Sequence, residues 1–477
     1  MRAIVPMLAA LALVAPGCGG TEGAASAPPP TSTLRATLVD RDGDGFLERG
    51  PGEPLRDRGP RARVGRTIAR FGQLSDTHVR DEESPARVPF LDRLGAPFNS
   101  TFRPQEALSP QVLDAAVRAL DRERPQAVAV TGDIIDSAQE NELDEAVATL
   151  DGRIVEPDSG GRGYAGVQAA GSPDPFYYRP DNDAPRHPGI LAAAQRPFRA
   201  RGLDAPWYPS IGNHDVLVQG EVPATPAIED VATGGEMTTG LDPDFRPPTA
   251  ERDAARAVDS LLSYGTTIGR TQDVPPDPAR RHLTPDQMVE RLAAAAGVQP
   301  ADRRRLDYTF DIGAEVRGIV LDTANRAGGS RGLVTAAQVA WLREQLVRAG
   351  SRWVVVFAHN PLEASDGGEA ALAALDAAPR VVAVVAGNRH RNTIVPRDGY
   401  WLIGTSSLAD FPQQARMFCL HETATGVALE TWMVDHDGRG LAGVSRELAY
   451  LDAQGGRPQG FAGRPEDRNA RLFVSRP

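Results

Sequence analysis

The chain has 477 residues, 41% of them hydrophobic, enough to bury a large core in one domain with insertions or in two or three domains. A formal charge of -11 argues against a general nucleic-acid-binding surface. All 52 basic residues are arginine, which excludes chemistry that needs a lysine, and two cysteines, Cys18 and Cys419, cannot build a disulfide framework or a thiolate metal site.

At the N-terminus Met1-Arg2 precedes an apolar run from Ala3 to Ala15 and then Pro16-Gly17-Cys18. The run is too short to cross a bilayer, so residues 1–18 read as a signal peptide and the protein as exported to the cell envelope, on its periplasmic or extracellular face. A cysteine after small residues resembles a bacterial lipoprotein cleavage site, with Cys18 as the lipid anchor. Ala15-Pro16 departs from the usual leucine and small residue, and ordinary secretion is the alternative. Residues 19–63 read as a flexible tether and an Asp/Gly-rich loop region. Asp40, Asp42 and Asp44 resemble the start of a calcium loop, but Pro51 stands where its closing glutamate belongs; structural calcium and plain turn composition both stay open.

A single domain is expected over 64–440, with 441–477 as a tail of little signal. Thr67–Leu74 has strand alternation, Ser109-Pro110 opens a helix to Glu123, and Ala127–Thr131 is a short apolar strand, which together imply a parallel strand-helix-strand unit. Asn141–Leu150 reads as a helix. Two long insertions, about 151–206 and 216–305, flank Trp207–Ile211 and are expected to form a cap and pocket wall, with helices at Ala250–Leu262 and at Thr284–Ala296, the latter with a capping box. Tyr308–Ile312, Arg317–Asp322, Trp353–Phe357 and Val381–Val385 read as strands, and Thr335–Ala349 and Ala370–Ala377 as helices. Tyr400–Thr405, Met417–His421 and Val427–Val434 are expected to close a second sheet as antiparallel strands.

Five short blocks each follow an apolar strand: Asp76-Thr77-His78, Gly132-Asp133-Ile134-Ile135-Asp136, Gly212-Asn213-His214-Asp215, His359-Asn360 and Gly387-Asn388-Arg389-His390. Strand ends are where open α/β sheets hold their ligands, and four of the eight histidines fall in these blocks. Asp, His and Asn side chains gathered there suit two divalent cations clamping a phosphoryl group.

In order and spacing these blocks resemble the calcineurin-like metallophosphoesterase superfamily over roughly Arg66 to Val434. The resemblance implies a four-layer α/β/β/α sandwich and a binuclear centre of Mn, Fe or Zn that hydrolyses a small phosphomonoester or phosphodiester by attack of metal-bound hydroxide. It implies that Asp76, His78 and His390 ligate one ion, that Asp133 bridges, and that Asn213 and His359 ligate the other. His214 would assist the leaving group, with Asp215 orienting its ring and Asp136 in support. Ile135-Asp136 stands where purple acid phosphatases have a tyrosine, which disfavours that subgroup. The final block usually reads Gly-His-x-His; here Asn388 replaces the first histidine, a weaker ligand for the second ion. That replacement also suits the alternative, a surface-anchored protein that binds metal or ligand without catalysis. Arg80, Arg389 and Arg391 adjoin site residues and are candidates for phosphate contact, and Asp410–Arg416 for lining the pocket. Asp322 also ends a strand and is expected to be structural or to support the site from behind, while His187, His282, His421 and His436 lack partner motifs and read as surface or core residues.

Overall fold

Trp353–Ala358 and Val381–Ala386 are apolar at every position, the pattern of strands covered on both faces, and they lie fully buried and parallel to each other. The computed structural model describes residues 31–475 apart from 44–45, 96–97, 99, 243, 245–257, 259–261, 263–268 and 455–459. The signal peptide, Cys18, Asp44 and most of the helix expected at 250–262 lie outside the described residues.

The two strands centre a six-stranded sheet in the order Tyr308–Ile312, Val316–Leu321, Trp353–Ala358, Val381–Ala386, Tyr400–Gly404, Thr393–Arg397. Its middle four strands are parallel and the two edge pairings antiparallel. A seven-stranded sheet runs Arg56–Arg58, Ala470–Ser475, Gly426–Asp435, Gln414–Thr423, Val64–Leu74, Val128–Thr131, Trp207–Ser210. Its last three strands are parallel, as the strand-helix-strand reading requires.

The sheets share one apolar core, where Phe71 of the larger meets Phe357 of the smaller edge to face at 5.9 Å and stacks on Phe418 at 4.8 Å. The helix Ser109–Arg122 packs on the outer face of the larger sheet, and Ala336–Ala349 and Gly368–Asp376 bury Leu342 and Leu372 against Ile319 and Val356 of the smaller. The four layers are thus helix, sheet, sheet, helix. Both expected capping boxes are present, at Thr284/Gln287 and Thr335/Gln338. Ser109 does not cap its helix: it lies inside the first turn, and its hydroxyl accepts the Arg80 backbone N–H at 3.1 Å.

Two expectations are corrected. The hairpin Gln414–Thr423/Gly426–Asp435 joins the larger sheet beside Val64–Leu74, while Tyr400–Gly404 belongs to the other sheet, parallel to Val381–Ala386 and antiparallel to Thr393–Arg397. Residues 405–413 cross between them, held to the larger sheet where Thr405 Oγ1 donates to Gln73 Oε1 at 2.7 Å and Leu408 N–H to the Asp76 carbonyl at 3.2 Å. Strand alternation is blind to which sheet a hairpin enters. The second correction concerns the ends. The supposed tail forms the helix Gly440–Gln454 and the strand Ala470–Ser475, which pairs with Arg56–Arg58 from the supposed loop region. Arg56–Arg58 is a short polar edge strand with no apolar signal, and its partner Ala470–Ser475 carries one but lies hundreds of residues away in the chain.

The two insertions pack together rather than trailing. Phe102, Val167, Tyr177, Met237 and Val274 form one small core from both insertions and the 79–108 loop. Buried Arg280 binds Asp81 Oδ2 at 2.9 Å and Ser159 Oγ at 2.8 Å, which ties the second insertion to the first and to the loop after His78.

Asn469 joins both ends of the chain: its Oδ1 accepts Thr33 Oγ1 and Met433 N–H, each at 3.0 Å, and its Nδ2 donates to the Glu53 carbonyl at 2.9 Å. Asn469→Ala strands these buried partners and is expected to lower unfolding free energy by about 2–3 kcal/mol in a denaturant titration.

Candidate metal centre

Five strand ends deliver the site. Asp76 and His78 follow Val64–Leu74, Asp133 and Asp136 follow Val128–Thr131, Asn213 and His214 follow Trp207–Ser210, His359 follows Trp353–Ala358, and His390 follows Val381–Ala386. Asp76, His78, Asp133, Asn388 and His390 all sit in left-handed backbone, with φ of 49°, 42°, 46°, 64° and 52°. Each costs on the order of 1–3 kcal/mol unless neighbours hold it, and such residues cluster where function demands a particular aim.

Asp76, His78, Asp133 and His390 each place a ligand atom within 4.8 Å of all the others. His78 Nε2 lies 3.2 Å from His390 Nε2 and 3.8 Å from Asp133 Oδ2, and His390 Nε2 lies 3.4 Å from Asp76 Oδ1. His359 Nε2 is 3.1 Å from the same Asp133 Oδ2 and 3.2 Å from Asn213 Oδ1. Asp133 therefore stands between a four-group cluster and a three-group one.

The other nitrogen of each ring is engaged outside the cluster. His78 Nδ1 meets Asp136 Oδ1 at 2.9 Å, His359 Nδ1 donates to the Thr131 carbonyl at 2.8 Å, and His390 Nδ1 pairs with Asp410 Oδ2. An acceptor at Nδ1 places the proton there and turns the Nε2 lone pair inward, the arrangement of metal-ligating imidazoles. Two facing Nε2 atoms cannot both carry protons, and a donor set of imidazole nitrogens with carboxylate and amide oxygens fits Mn, Fe or Zn. The residues fit a pair of divalent cations.

Burial and neighbouring charge pull these groups in opposite directions. Burial works to lower His359, but the Asp133 carboxylate outweighs it and raises the ring to about 10. Burial likewise opposes the charge on His390, which bonds to Asp410 and Asp76 lift to about 9. Burial dominates at His78 and pushes it down to about 4, against the bond from Asp136. For Asp133, burial favours the acid form, yet His359 and then His214 hold it well below the usual carboxylate range.

His214 is the most open member, its side chain 23% exposed, and its ring stands edge-on to His78 with centroids 4.7 Å apart. Its Nδ1–H donates to the Asp136 carbonyl at 2.6 Å, which leaves Nε2 without a hydrogen-bond partner among the described residues. Asp215 does not orient this ring. Its carboxylate accepts the N–H groups of Gly212, Ile134 and Ile135 at 2.7, 2.8 and 3.0 Å, clamping two motif turns together.

Arg80 is also corrected. It is buried, donating to Glu106 Oε2 at 2.7 Å and pairing with Asp136, so its charge is spent on holding the carboxylate behind His78. Arg389 is exposed, 3.8 Å from Glu363, and Arg391 lines a small cavity with Thr393 and Val395 on the outer strands. Asn388 serves the centre through its backbone, whose N–H donates to Asp76 Oδ1 at 2.9 Å. Asp322 is structural, accepting Leu306 N–H at 2.9 Å and pairing with Arg326, and His282 is buried against Glu229 at 2.9 Å.

Several supporting residues escaped the sequence reading. Asp410, behind His390, is gripped by Arg103 at 2.7 and 3.2 Å, and Glu106 accepts the Arg103 backbone N–H at 3.0 Å together with both Arg80 and Arg87. Glu106 thus links the carboxylates behind both histidines of the larger cluster. Gly220 has φ 70°, and a Cβ there would lie 2.4 Å from His214 Nε2. Only the Asp410 loop carried a signal, as an unusual segment after a strand.

Since His359 and His390 carry protons below about 10 and 9, ion binding at pH 7.5 is expected to release close to two protons, read by calorimetry in buffers of different ionisation enthalpy. Both values are raised above the unfolded 6.5, so the stability they contribute is full below about 6.5 and is lost as pH rises through 9 to 10; the ion-free Tm falls over that window. Glu106→Gln is expected to weaken divalent-ion binding about 10- to 100-fold in a chelator competition, because it loosens the support of both rings.

No family model matches the chain, and no curated protein does. Among solved structures it is similar to a dimetal phosphatase from Danio rerio, at 15% identity over 78% of this chain and 97% of that one, with a TM-score of 0.42. It is similar to the purple acid phosphatase PPD1 of yellow lupin, at 11% identity over 81% of this chain and 54% of that one, TM-score 0.33. A third likeness is to PhoD, at 12% identity over 85% of this chain and 80% of that one, TM-score 0.28. Two mixed sheets lie between helices, and Asp76, His78, Asp133, Asn213, His359 and His390 gather at their strand ends.

Proposed function

We propose that the protein is a phosphoric ester hydrolase holding two divalent cations, one among Asp76, His78, Asp133 and His390, the other among Asp133, Asn213 and His359. The observation that carries this reading is the convergence on Asp133 Oδ2 of His359 Nε2 at 3.1 Å and His78 Nε2 at 3.8 Å, from opposite clusters, with every ring's Nδ1 engaged elsewhere. When bound, the ions would supply an acidified water as nucleophile and neutralise phosphoryl oxygens.

The chain's own residues do the rest. As an imidazolium, His214 gives its Nε2 proton to the departing oxygen and keeps its Nδ1–H on the Asp136 carbonyl, which holds the ring from turning away. Asp136 and Asp410 hold the two facing rings in place, and Gly220 leaves the space that His214 occupies. The substrate is a small phosphomonoester or phosphodiester. Export and a lipid anchor at Cys18 complete the proposal from the sequence, and structural calcium at Asp40, Asp42 and Asp44 remains part of it, although Asp40 also accepts Gly43 N–H at 2.7 Å as an ordinary turn would.

One observation favours the non-catalytic alternative: three side chains surround the second position against four around the first, since Asn388 gives its backbone to Asp76. Metal analysis with a panel of mono- and diesters, run with Mn²⁺, Fe²⁺, Zn²⁺ and Ca²⁺ after chelation, separates the two. Two ions per chain with turnover support the enzyme; one or none without turnover supports the binding protein. Within the panel, His214→Ala is expected to lower kcat by about 10²–10⁴ while ion content stays, and Asp133→Asn to lose ions and activity together. Full metal-dependent hydrolysis in both variants would sink the assignment.

A further inference from the structure

Val316–Leu321, Trp353–Ala358 and Val381–Ala386 are adjacent parallel strands, and the loops after their C-terminal ends enclose a groove of about 550 Å³. Ser330 and Arg331 come from the first loop, Asn360 from the second, Asn388 and Arg389 from the third. Asn388, which lines the groove, donates its backbone N–H to Asp76 Oδ1 at 2.9 Å, so the groove adjoins the position framed by Asp76, His78, Asp133 and His390. Crevices at the carboxyl ends of neighbouring parallel strands are where such sheets hold ligands.

The walls are fixed. Asn360 Nδ2 donates to the Ser330 carbonyl at 2.9 Å and its Oδ1 accepts Thr323 Oγ1 at 3.0 Å. Asp366 N–H reaches the Gly332 carbonyl at 2.8 Å, and Gly329 N–H reaches the Glu221 carbonyl at 2.9 Å, tying the first loop to the segment that carries His214. The donors facing the groove are held far less firmly. Arg331 pairs with Asp366 at 2.9 Å and Arg389 with Glu363 at 3.8 Å, both arginine side chains more than half exposed. Ion pairs this open are weak. The half-buried Asn388 amide hydrogen-bonds to no other side chain or backbone among the described residues.

We propose that this groove is a subsite for a second phosphate group of the substrate, held by Arg331, Arg389 and the Asn388 amide while the scissile phosphoryl lies on the cations. A phosphate offers each guanidinium two oxygens and more charge than Asp366 or Glu363, so it displaces those surface partners. The substrate class is then a small molecule with two neighbouring phosphates. This rests on the hydrolase reading for the scissile group and extends it to specificity.

The test is calorimetric titration of the ion-loaded protein with adenosine 5′-monophosphate and adenosine 5′-diphosphate, alongside their turnover. The native chain is expected to bind the diphosphate at least about tenfold tighter, and an Arg331→Gln/Arg389→Gln double variant to bring the ratio near one with ion content retained. Asn388→Asp, which sets a carboxylate in the groove, is expected to lower the ratio as well. A ratio near one in the native chain, or an unchanged ratio in the double variant, overturns the subsite. Turnover of either nucleotide without that ratio leaves the hydrolase standing and removes the subsite; the ratio without any turnover keeps the subsite and removes the hydrolase.

Discussion

The carboxylate of Asp133 is the group on which the arrangement depends. It sits in left-handed backbone at φ 46°, its Oδ1 accepts His214 N–H at 2.8 Å, and its Oδ2 faces imidazoles of two separate clusters. A buried anion in that position is tolerable only with positive charge close by. The proton on His359 meets part of that need, and divalent cations would meet it more completely. Folding and ion binding therefore draw on the same electrostatic requirement.

Support for the centre is built in layers of alternating charge. Behind His78 stand Asp136, Arg80 and Glu106; behind His390 stand Asp410 and Arg103, whose backbone returns to Glu106. Every member is buried or nearly so, where removing one partner leaves an uncompensated charge. Arginine suits this duty because its planar fork binds two carboxylate oxygens at once and never loses its proton. The loop from Arg80 to Glu106 is thus a second wall of the centre rather than a linker between a strand and a helix.

The long insertions act on the same principle at larger scale. They share a small apolar core with that loop, and Arg280 anchors them to Asp81 from inside. The smaller sheet contributes the opposite bank through the loops that carry His359, Asn388 and His390, and the second-phosphate groove lies there. Residues 405–413, crossing between the sheets, bring Asp410 beneath His390. The centre thus receives side chains from both sheets, and neither sheet alone would complete it.

The ligand blocks were legible because apolar runs announce buried strands, and Asp, Asn and His immediately after such runs have few structural reasons to be there. The strand-helix-strand unit, the two capping boxes and the convergence of Asp76, His78, Asp133, Asn213, His359 and His390 were within reach of the amino-acid order alone. The partners of those side chains were not. Adjacency to His78 makes Arg80 no more than a candidate for phosphate contact, and burial beside Asp136 and Glu106 decides its role. Asp215 was assigned to a ring that it does not touch, because successive residues after a strand diverge. The sheet chosen by the hairpin at Gln414–Asp435 and the pairing of Arg56–Arg58 with Ala470–Ser475 depend on contacts hundreds of residues apart. Local pattern specifies which residues are buried and where a strand ends; only the packed chain specifies which distant charge lies opposite, because that is set by the register of whole sheets rather than by neighbours in sequence.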